Sequence, residues 1–235
     1  MKNFLFLISV LLVSVSFGQA TAEDYFNQAK AKYKLQDYSG AIADLTKAIE
    51  LDPAYAMAYN NRGIVKYELK DYKGAKADYT KSTELDPAEA KYYYNWGQSK
   101  YFLKDKRGAI ADYTKAIELD PTLKDAYGRR GDIQYERKQY RGAIADYTKA
   151  IELDTAFVEA YYNRGIAKSY LLDDIGAIAD FTIVIELNPV EGSAYYFRGI
   201  AKSYLLDNIG ACLDWNKAVE LGYADAFKKV KKYCK

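Results

Sequence analysis

The hydrophobic and polar residues of this chain form short segments with the spacing of paired helices. Residues 56–89 show one such unit, in which residues 56–69 predict a first helix and residues 74–85 predict a second. The polar stretch 70–73 predicts a turn. Pro87 predicts the end of the second helix, because proline disfavours helical backbone at the preceding residue. Helices of about 12–14 residues are marginal alone in water, so each is expected to pack on neighbours.

This unit recurs along residues 21–225. A Gly-Ala dipeptide returns every 34 residues, and the four prolines occupy one position of the same period. The dipeptides begin at Gly40, Gly74, Gly108, Gly142, Gly176 and Gly210. A fixed period over six copies predicts a solenoid. Its units are 22–55, 56–89, 90–123, 124–157, 158–191 and 192–225.

Residues at fixed positions of the unit resemble the tetratricopeptide repeat family over essentially all of the chain after residue 20. A first-helix aromatic lies at Tyr25, Tyr59, Tyr93, Tyr127, Tyr161 and Tyr195. A small residue follows it at Ala29, Gly63, Gly97, Gly131, Gly165 and Gly199. The resemblance implies an all-α, right-handed superhelical solenoid of helix-turn-helix repeats, in which the first helices line a concave groove.

In each unit the first helix carries a small residue and the second helix a large one at a fixed position, which predicts that the two helices pack closely. The large residues are Leu45, Tyr79, Tyr113, Tyr147, Phe181 and Trp215. Glycine inside a helix costs about 1 kcal/mol relative to alanine, so its repetition implies a contact that outweighs this loss. Burial of one tyrosine contributes up to about 4 kcal/mol. We therefore expect Gly131→Leu to disrupt the middle of the array.

Residues 1–20 have the order of a secretory signal peptide. Lys2 gives a basic start, residues 4–15 are almost wholly apolar, and small or polar residues follow to Ala20. An uncleaved membrane anchor is the alternative, although the apolar run is short for a bilayer span. We expect an exported protein, periplasmic or secreted, with no membrane insertion after signal cleavage.

The composition argues against several classes of function. The 235 residues carry 34 Lys and Arg against 32 Asp and Glu, and a formal charge of +2 gives no field to attract nucleic acid. Histidine, the commonest metal ligand and general base, is missing. The sequence has no phosphate-binding loop, nucleophile motif or metal cluster. We expect a protein that is not an enzyme and uses no cofactor and no metal.

Two polar rows in the first helices are candidates for a peptide-binding groove. One row is Asn27, Asn61, Asn95, Arg129 and Asn163, and the other is Tyr33, Tyr67, Tyr101 and Tyr135. A carboxamide can pair with the peptide unit of any sequence, and tyrosine adds an apolar face and a hydroxyl. The alternative for the asparagine row is hydrogen bonding between neighbouring units, and for the tyrosine row it is packing between helices.

Arginine and aspartate also recur together, one in each helix of the unit. The arginines are Arg62, Arg130, Arg164 and Arg198, and the aspartates are Asp44, Asp78, Asp112, Asp146, Asp180 and Asp214. Their fixed offset favours a ladder of ion pairs within the units over a clamp for acidic ligands.

Two cysteines lie near the C-terminus. Cys212 belongs to the second helix of the sixth unit, and Cys234 lies in residues 226–235. Phe227, Val230 and Cys234 share one helical face, which predicts a capping helix. In an oxidising compartment the two cysteines could form a disulfide that pins this cap, and two free thiols or an intermolecular bond are the alternatives.

These features predict a non-catalytic interaction scaffold that binds an extended segment of a protein or peptide in its concave groove. The alternatives are a self-assembling structural component of an envelope complex and an accessory subunit of an enzyme. The sequence names neither the partner nor the oligomeric state.

Overall fold

The computed structural model describes residues 20–234, so the predicted signal peptide lies outside the described residues except for Ala20. The described residues form thirteen α-helices and no strand. Helix pairs 1–6 are α1 (Ala22–Lys34) with α2 (Tyr38–Leu51), α3 (Ala56–Glu68) with α4 (Tyr72–Leu85), α5 (Ala90–Phe102) with α6 (Lys106–Leu119), α7 (Lys124–Glu136) with α8 (Tyr140–Leu153), α9 (Val158–Tyr170) with α10 (Asp174–Leu187), and α11 (Gly192–Tyr204) with α12 (Asn208–Glu220). A last helix, α13 (Ala224–Tyr233), follows. The predicted all-α solenoid with a C-terminal helix is confirmed.

Each helix pair turns through one residue with left-handed backbone. In helix pair 2, Lys70 has a φ of 63°, and the next residue, Asp71, accepts a hydrogen bond from the Gly74 N–H at 2.9 Å. Because this cap satisfies a free N–H of the first turn, α4 begins at Tyr72, two residues before the predicted start. The left-handed residues of the six turns are Gln36, Lys70, Lys104, Lys138, Leu172 and Leu206.

Consecutive helices pack on one another along the whole array. In addition, first helices of neighbouring pairs are in contact at α3–α5, α7–α9 and α9–α11, and no contact of this extent joins second helices within residues 20–234. The first helices therefore lie closer together than the second helices. They form the concave side of the stack, called the inner wall below. None of the helices between residues 20 and 234 combines the length and the apolar character needed to span a bilayer.

The core of each helix pair places a small residue against a large one. In helix pair 4, Ala143 is fully buried and Tyr147 is 1% exposed. A Cβ placed on Gly131 would lie 2.8 Å from the Tyr147 ring, which is too close for van der Waals contact. The first helix can therefore approach the tyrosine only through glycine, as the repeat of small residues predicts.

Arginine–aspartate ion pairs join the two helices of helix pairs 2, 4, 5 and 6. In helix pair 4, Arg130 donates to the two carboxylate oxygens of Asp146 at 2.8 and 2.7 Å, and to Thr114 of helix pair 3 at 3.0 Å. The equivalent pairs are Arg62–Asp78, Arg164–Asp180 and Arg198–Asp214. Because these arginines are engaged within the fold, they form the structural ladder and not a clamp for acidic ligands.

The last helix is joined to helix pair 6 by a disulfide between Cys212 and Cys234, whose Cα atoms lie 5.5 Å apart. The chain enters α13 through Gly222, which has a φ of 84°. The sequence predicts Phe227 on the packing face of this helix, but its side chain is 61% exposed, whereas Ala226 is fully buried. The small alanine makes the close contact, and the larger ring is left in solvent.

Candidate functional site

Four cavities follow one another along the inner wall. They are the α1–α3 cavity of about 280 Å³, the α3–α7 cavity of about 160 Å³, the α7–α9 cavity of about 270 Å³ and the α9–α11 cavity of about 240 Å³. Each is lined mainly by side chains of neighbouring first helices. The last three share lining residues with their neighbours, and the row of four cavities is called the inner groove below.

Part of the predicted asparagine row is engaged in contacts between helix pairs. The Asn95 amide donates to Asn60 of the preceding helix pair at 2.9 Å. The Asn163 amide donates to Asp132, also in the preceding helix pair, at 3.1 Å. These bonds are of the kind that the sequence offers as the alternative to ligand binding, although the carbonyl oxygen of Asn163 can still accept.

The other members of this row lie on accessible surface. Asn27 and Arg129 are exposed, and Asn61 lines the α1–α3 cavity. Arg129 lines both the α3–α7 and the α7–α9 cavities, and Asn163 lines the second of these. The structure therefore brings Arg129 and Asn163 together in one cavity and places Asn27 and Asn61 near the other end of the inner groove.

The predicted tyrosine row packs where the first helices end. Tyr67 lies with its ring centroid 5.4 Å from those of Tyr72 and Phe102. The Tyr101 hydroxyl donates to Glu136 of the next helix pair at 2.5 Å. Similar aromatic contacts join Tyr33 with Tyr38, and Tyr135 with Tyr140 and Tyr170. These tyrosines pack between helices, and three of them also line cavities: Tyr33, Tyr67 and Tyr101.

The α7–α9 cavity lies at a repeat position where helix pair 4 has glycine and most other helix pairs have an aromatic residue. The residue after the first-helix aromatic is Phe26, Asn60, Tyr94, Gly128, Tyr162 or Tyr196 in the six helix pairs. Gly128 lines the cavity, and a Cβ placed there would meet only Phe157 within 4 Å among residues 20–234, at an ordinary contact distance of 3.5 Å. Space that could hold an aromatic ring, as in four other helix pairs, is open at this point of the inner wall.

Carboxylates dominate the charge of the α7–α9 cavity. Its charged lining residues are Asp125, Arg129, Asp132 and Glu159. Asp132 accepts hydrogen bonds from the Tyr147 hydroxyl at 2.9 Å and from the Asn163 amide, and the Arg129 guanidinium lies 3.5 Å away. Burial raises the pKa of Asp132, and the bond from Tyr147 and the charge of Arg129 oppose this rise. The Asp132 carboxylate is therefore held in a fixed position within a cavity of net negative charge.

The α1–α3 cavity has a different chemistry. Its lining is mainly apolar and includes Leu45, Ile64 and Val65, and the exposed Lys30 and Lys34 also line it. The inner groove thus runs from an apolar end with two exposed lysines to a centre rich in carboxylates. A ligand that spans both cavities would meet two distinct environments.

Four segments of the chain match models of one repeat family. Residues 29–70 and 131–169 match a model described as TPR repeat, and residues 56–89 and 90–123 match the tetratricopeptide repeat model. Together these matches span more than half of the chain. The chain belongs to the tetratricopeptide repeat (TPR) family.

Solved TPR structures share this architecture. YrrB, described as a TPR protein with an unusual peptide-binding site, is 25% identical, with a TM-score of 0.71 over 80% of this chain and 97% of its own. A MamA structure is also 25% identical, with a TM-score of 0.65 over 68% and 94%. The C-terminal part of a TPR protein from Cytophaga hutchinsonii is 24% identical, with a TM-score of 0.76 over 88% and 85%, and supports the fold alone.

No curated protein sequence matches the chain. The TPR family and its solved neighbours nevertheless support the coarse function that the sequence predicts, a protein-interaction scaffold. Modules of this family typically carry no catalytic site.

Two residues of this TPR protein that line the α7–α9 cavity, Gly128 and Asp132, are not among the site residues predicted from the sequence. Gly128 stands where most units have an aromatic residue, and Asp132 stands where the second, fifth and sixth units have isoleucine. Comparison of each repeat position across the six units would have singled out both residues, because a carboxylate at a largely apolar inner position needs hydrogen-bond partners. No pattern in the sequence gives the size of the cavity that these two residues line.

Proposed function

We propose that this TPR protein is exported and holds an extended segment of a partner polypeptide in its inner groove without catalysing a reaction on it. The observation that carries the proposal is the α7–α9 cavity, where Gly128 opens the inner wall beside the fixed carboxylate of Asp132. A concave site with a few positioned polar groups is the usual form of a binding site.

The groups around this cavity suit a peptide main chain and one basic side chain. The carbonyl oxygen of Asn163 can accept from a peptide N–H, and the exposed Arg129 guanidinium can donate to a peptide carbonyl. Three carboxylates against one guanidinium favour a lysine or arginine side chain inside the cavity. About 30 Å³ is the share of one water in the liquid, so a cavity near 270 Å³ has room for such a side chain.

The α1–α3 cavity suits an apolar side chain of the same segment. Its aliphatic lining would bury such a side chain, at about 25 cal/mol per Å² of apolar surface removed from water. The exposed Lys30 and Lys34 would favour a neighbouring acidic residue in the ligand. The two cavities together therefore favour a segment with an apolar, acidic part and a basic part.

Export rests on the order of residues in 1–20 and fits the disulfide between Cys212 and Cys234, because disulfides persist in oxidising compartments. Intact mass of the protein recovered from the exported fraction tests both features. We expect the loss of the residues up to Gly18 or Ala20 and a mass lower by two hydrogens than that of the reduced chain. A full-length chain retained in the cell would contradict export.

The Gly128→Tyr variant tests the groove. It restores an aromatic residue of the kind found at this position in four other helix pairs, so we expect it to fill the α7–α9 cavity while the protein stays folded. Peptides selected from a random displayed library against the wild-type protein serve as ligands. We expect the variant to bind them at least about tenfold more weakly by fluorescence anisotropy, because the basic side chain loses its cavity.

The matched control is Gly128→Ala. Its single methyl group leaves the cavity open and gains about 1 kcal/mol of helix propensity, so we expect a more stable protein with unchanged peptide affinity. Equal binding by wild type and Gly128→Tyr, or failure of the library to yield any ligand, would contradict the proposed groove.

A further inference from the structure

Helix pairs 5 and 6 carry an apolar patch on the turn edge, which is the edge formed by the turns between first and second helices. Leu172 and Leu206 occupy the left-handed turn position that is Gln or Lys in helix pairs 1–4. Ile175 and Ile209 occupy a position that is Ser, Lys or Arg in those helix pairs. The substitution of polar by apolar residues is therefore systematic at two positions of two successive turns.

These side chains are in solvent and add nothing to the core. Leu172, Ile175, Tyr204, Leu206, Ile209 and Leu213 are exposed by 83%, 73%, 69%, 82%, 80% and 67%. Single exposed apolar residues are normal on a monomer, whereas six large ones on two successive helix pairs are the kind of surface that marks an interaction site. The term apolar patch is used below for these six residues.

Cationic side chains flank the apolar patch on two sides. Ile209 and Leu213 line a shallow depression together with Cys212, Tyr233 and Cys234, so the disulfide holds the end of α13 beside the patch. The exposed Lys231 and Lys232 directly precede this end.

On the other side of the patch, the turn of helix pair 4 supplies positive charge. Tyr170 stacks on Tyr140 with ring centroids 4.8 Å apart, and this contact places the turn of helix pair 5 against that of helix pair 4. Arg137, Lys138 and Arg141 are exposed in the turn of helix pair 4.

Two of the acidic residues at these turns are tied to the backbone, and the third, Asp174, is buried with one carboxylate oxygen that has no hydrogen-bond partner among residues 20–234. Asp173 accepts from the Gly176 N–H at 2.9 Å, and Asp207 accepts from the Gly210 N–H at 2.8 Å. Each carboxylate caps the N-terminus of a second helix, where the helix dipole favours negative charge. The leucine and isoleucine side chains are thus exposed to solvent, whereas Asp173 and Asp207 are engaged as caps and Asp174 is turned into the protein.

We propose that the apolar patch docks this protein peripherally on an anionic lipid surface. Leucine, isoleucine and tyrosine side chains at the turn tips enter the headgroup region, and the flanking lysines and arginines attract anionic headgroups. Charge decides between this occupant and a second copy of the chain. Two copies that met patch to patch would bring their cationic rims together, whereas an anionic bilayer complements them.

The patch lies on the turn edge and not in the inner groove, so the docking site is independent of peptide binding. It would leave the inner groove free for the partner segment while the protein stays at the membrane surface.

Vesicle flotation with the chain from residue 20 to residue 235 tests the docking site. This chain contains every described helix but lacks the apolar residues 4–15, which would bind lipid by themselves. We expect wild type to float with phosphatidylglycerol vesicles and to bind phosphatidylcholine vesicles at least about tenfold more weakly, because the basic residues beside the patch are attracted only to the anionic surface.

The variant Leu172→Gln, Leu206→Gln, Ile175→Ser, Ile209→Ser carries the residues that helix pair 1 has at these positions, Gln36 and Ser39. Gln36 adopts the same left-handed backbone with a φ of 61°, so we expect this variant to keep its helical spectrum and melting curve. We expect its binding to phosphatidylglycerol vesicles to fall at least about tenfold at unchanged net charge. The control Leu35→Gln replaces a leucine of helix pair 1 that is 80% exposed but lies outside the apolar patch, and it should bind as wild type does.

Equal vesicle binding by wild type and the fourfold variant would overturn the proposal, and so would wild type that does not float. Light scattering without lipid measures whether the chain forms a dimer through the patch. A dimer that forms with wild type and is lost in the fourfold variant would assign the patch to a second copy and overturn the lipid assignment.

Discussion

Helix pairs 3 and 4 are neighbours built on the same repeat, yet they fill its key positions differently. In helix pair 4, Arg130 bonds both oxygens of Asp146. In helix pair 3, Trp96 takes the arginine position, and Asp112 is left with Lys100. The Lys100 ammonium lies 2.7 Å from the carboxylate as an ion pair and 3.6 Å from the centre of the Trp96 ring.

Because tryptophan replaces arginine in helix pair 3, this helix pair lacks the arginine–aspartate ion pair, here called one rung of the ladder. The indole N–H of Trp96 is buried without an acceptor among residues 20–234. Burial raises the pKa of Asp112, and the bond and charge of Lys100 oppose the rise. Thr80, which lies at the position where other pairs accept from arginine, bonds its own helix at Lys76 instead.

The inner wall differs between the two helix pairs in the opposite sense. In helix pair 3, Tyr94 packs against Tyr113 with ring centroids 5.7 Å apart, whereas Gly128 leaves a cavity in helix pair 4. In helix pair 3 an aromatic ring fills the inner wall but the arginine–aspartate ion pair is missing. In helix pair 4 the inner wall has a cavity but the ion pair is present. The contacts that hold a unit together and the surface that it offers to a ligand therefore vary independently.

The largest effect is expected where the two helix pairs agree. A Cβ on Gly97 or Gly131 would lie 2.8 Å from Tyr113 or Tyr147, so Gly97→Leu and Gly131→Leu should each destabilise the array by about 3 kcal/mol or more. Urea unfolding followed by circular dichroism measures both. A variant that unfolds at the same urea concentration as wild type would contradict the packing of glycine on the tyrosine ring.

A smaller and unequal effect is expected at the aspartate position. Asp146→Asn removes the charge that pairs with Arg130, and breaking a largely buried ion pair costs about 3 kcal/mol. Asp112→Asn removes a carboxylate whose ionisation is already disfavoured by burial, and we expect a loss of about 1 kcal/mol or less. Urea unfolding at pH 7 compares the two. Equal losses would show that the arginine makes no difference to the rung.

The smallest effect is expected from rebuilding the missing rung. Trp96→Arg should let Asp112 accept two bonds from a guanidinium, so its pKa should fall from above to below its usual value. In wild type the raised pKa means that stability declines as pH rises from the unfolded value near 3.8 through the folded pKa. In the variant a lowered pKa gives the opposite slope.

We therefore expect the stability of Trp96→Arg relative to wild type to increase by about 1–2 kcal/mol between pH 3 and pH 7. Urea unfolding at the two pH values checks the slope, and carboxyl NMR titration checks Asp112 directly. Trp96→Phe, which removes the unbonded indole N–H without adding charge, is the control and should keep the wild-type slope. An unchanged pKa of Asp112 in the arginine variant would refute the interpretation.

The repeat itself could be predicted because identical residues return at every period. The fixed Gly-Ala spacing and the glycine row opposite Tyr79, Tyr113 and Tyr147 gave the helix order and the core. Helix starts were less accurate, since the cap at Asp71 recruits two further residues into α4.

The candidate site was harder to predict because it depends on residues that depart from the repeat. The sequence leaves both a ligand and a neighbouring unit open as partners of the asparagine row, and in the structure Asn95 bonds Asn60 within the array. A polar side chain in this row can bond either a neighbouring helix pair or a ligand, depending on the distance between helix pairs. No single residue of the sequence determines that distance. Phe227 was misplaced for a similar reason, since the tighter fit of Ala226 decided which face of α13 is buried.

The bond between Cys212 and Cys234 gives the array a direction. In a linear stack each unit is held only by its neighbours, so unravelling starts at whichever terminus is loose. The covalent link keeps the final helix from peeling away, so among the helices of residues 20–234 we expect fraying to begin at α1 and α2. A ligand seated in the α1–α3 cavity would clamp that loose terminus, so occupancy at one end and a sulfur bridge at the other would together close the stack against fraying.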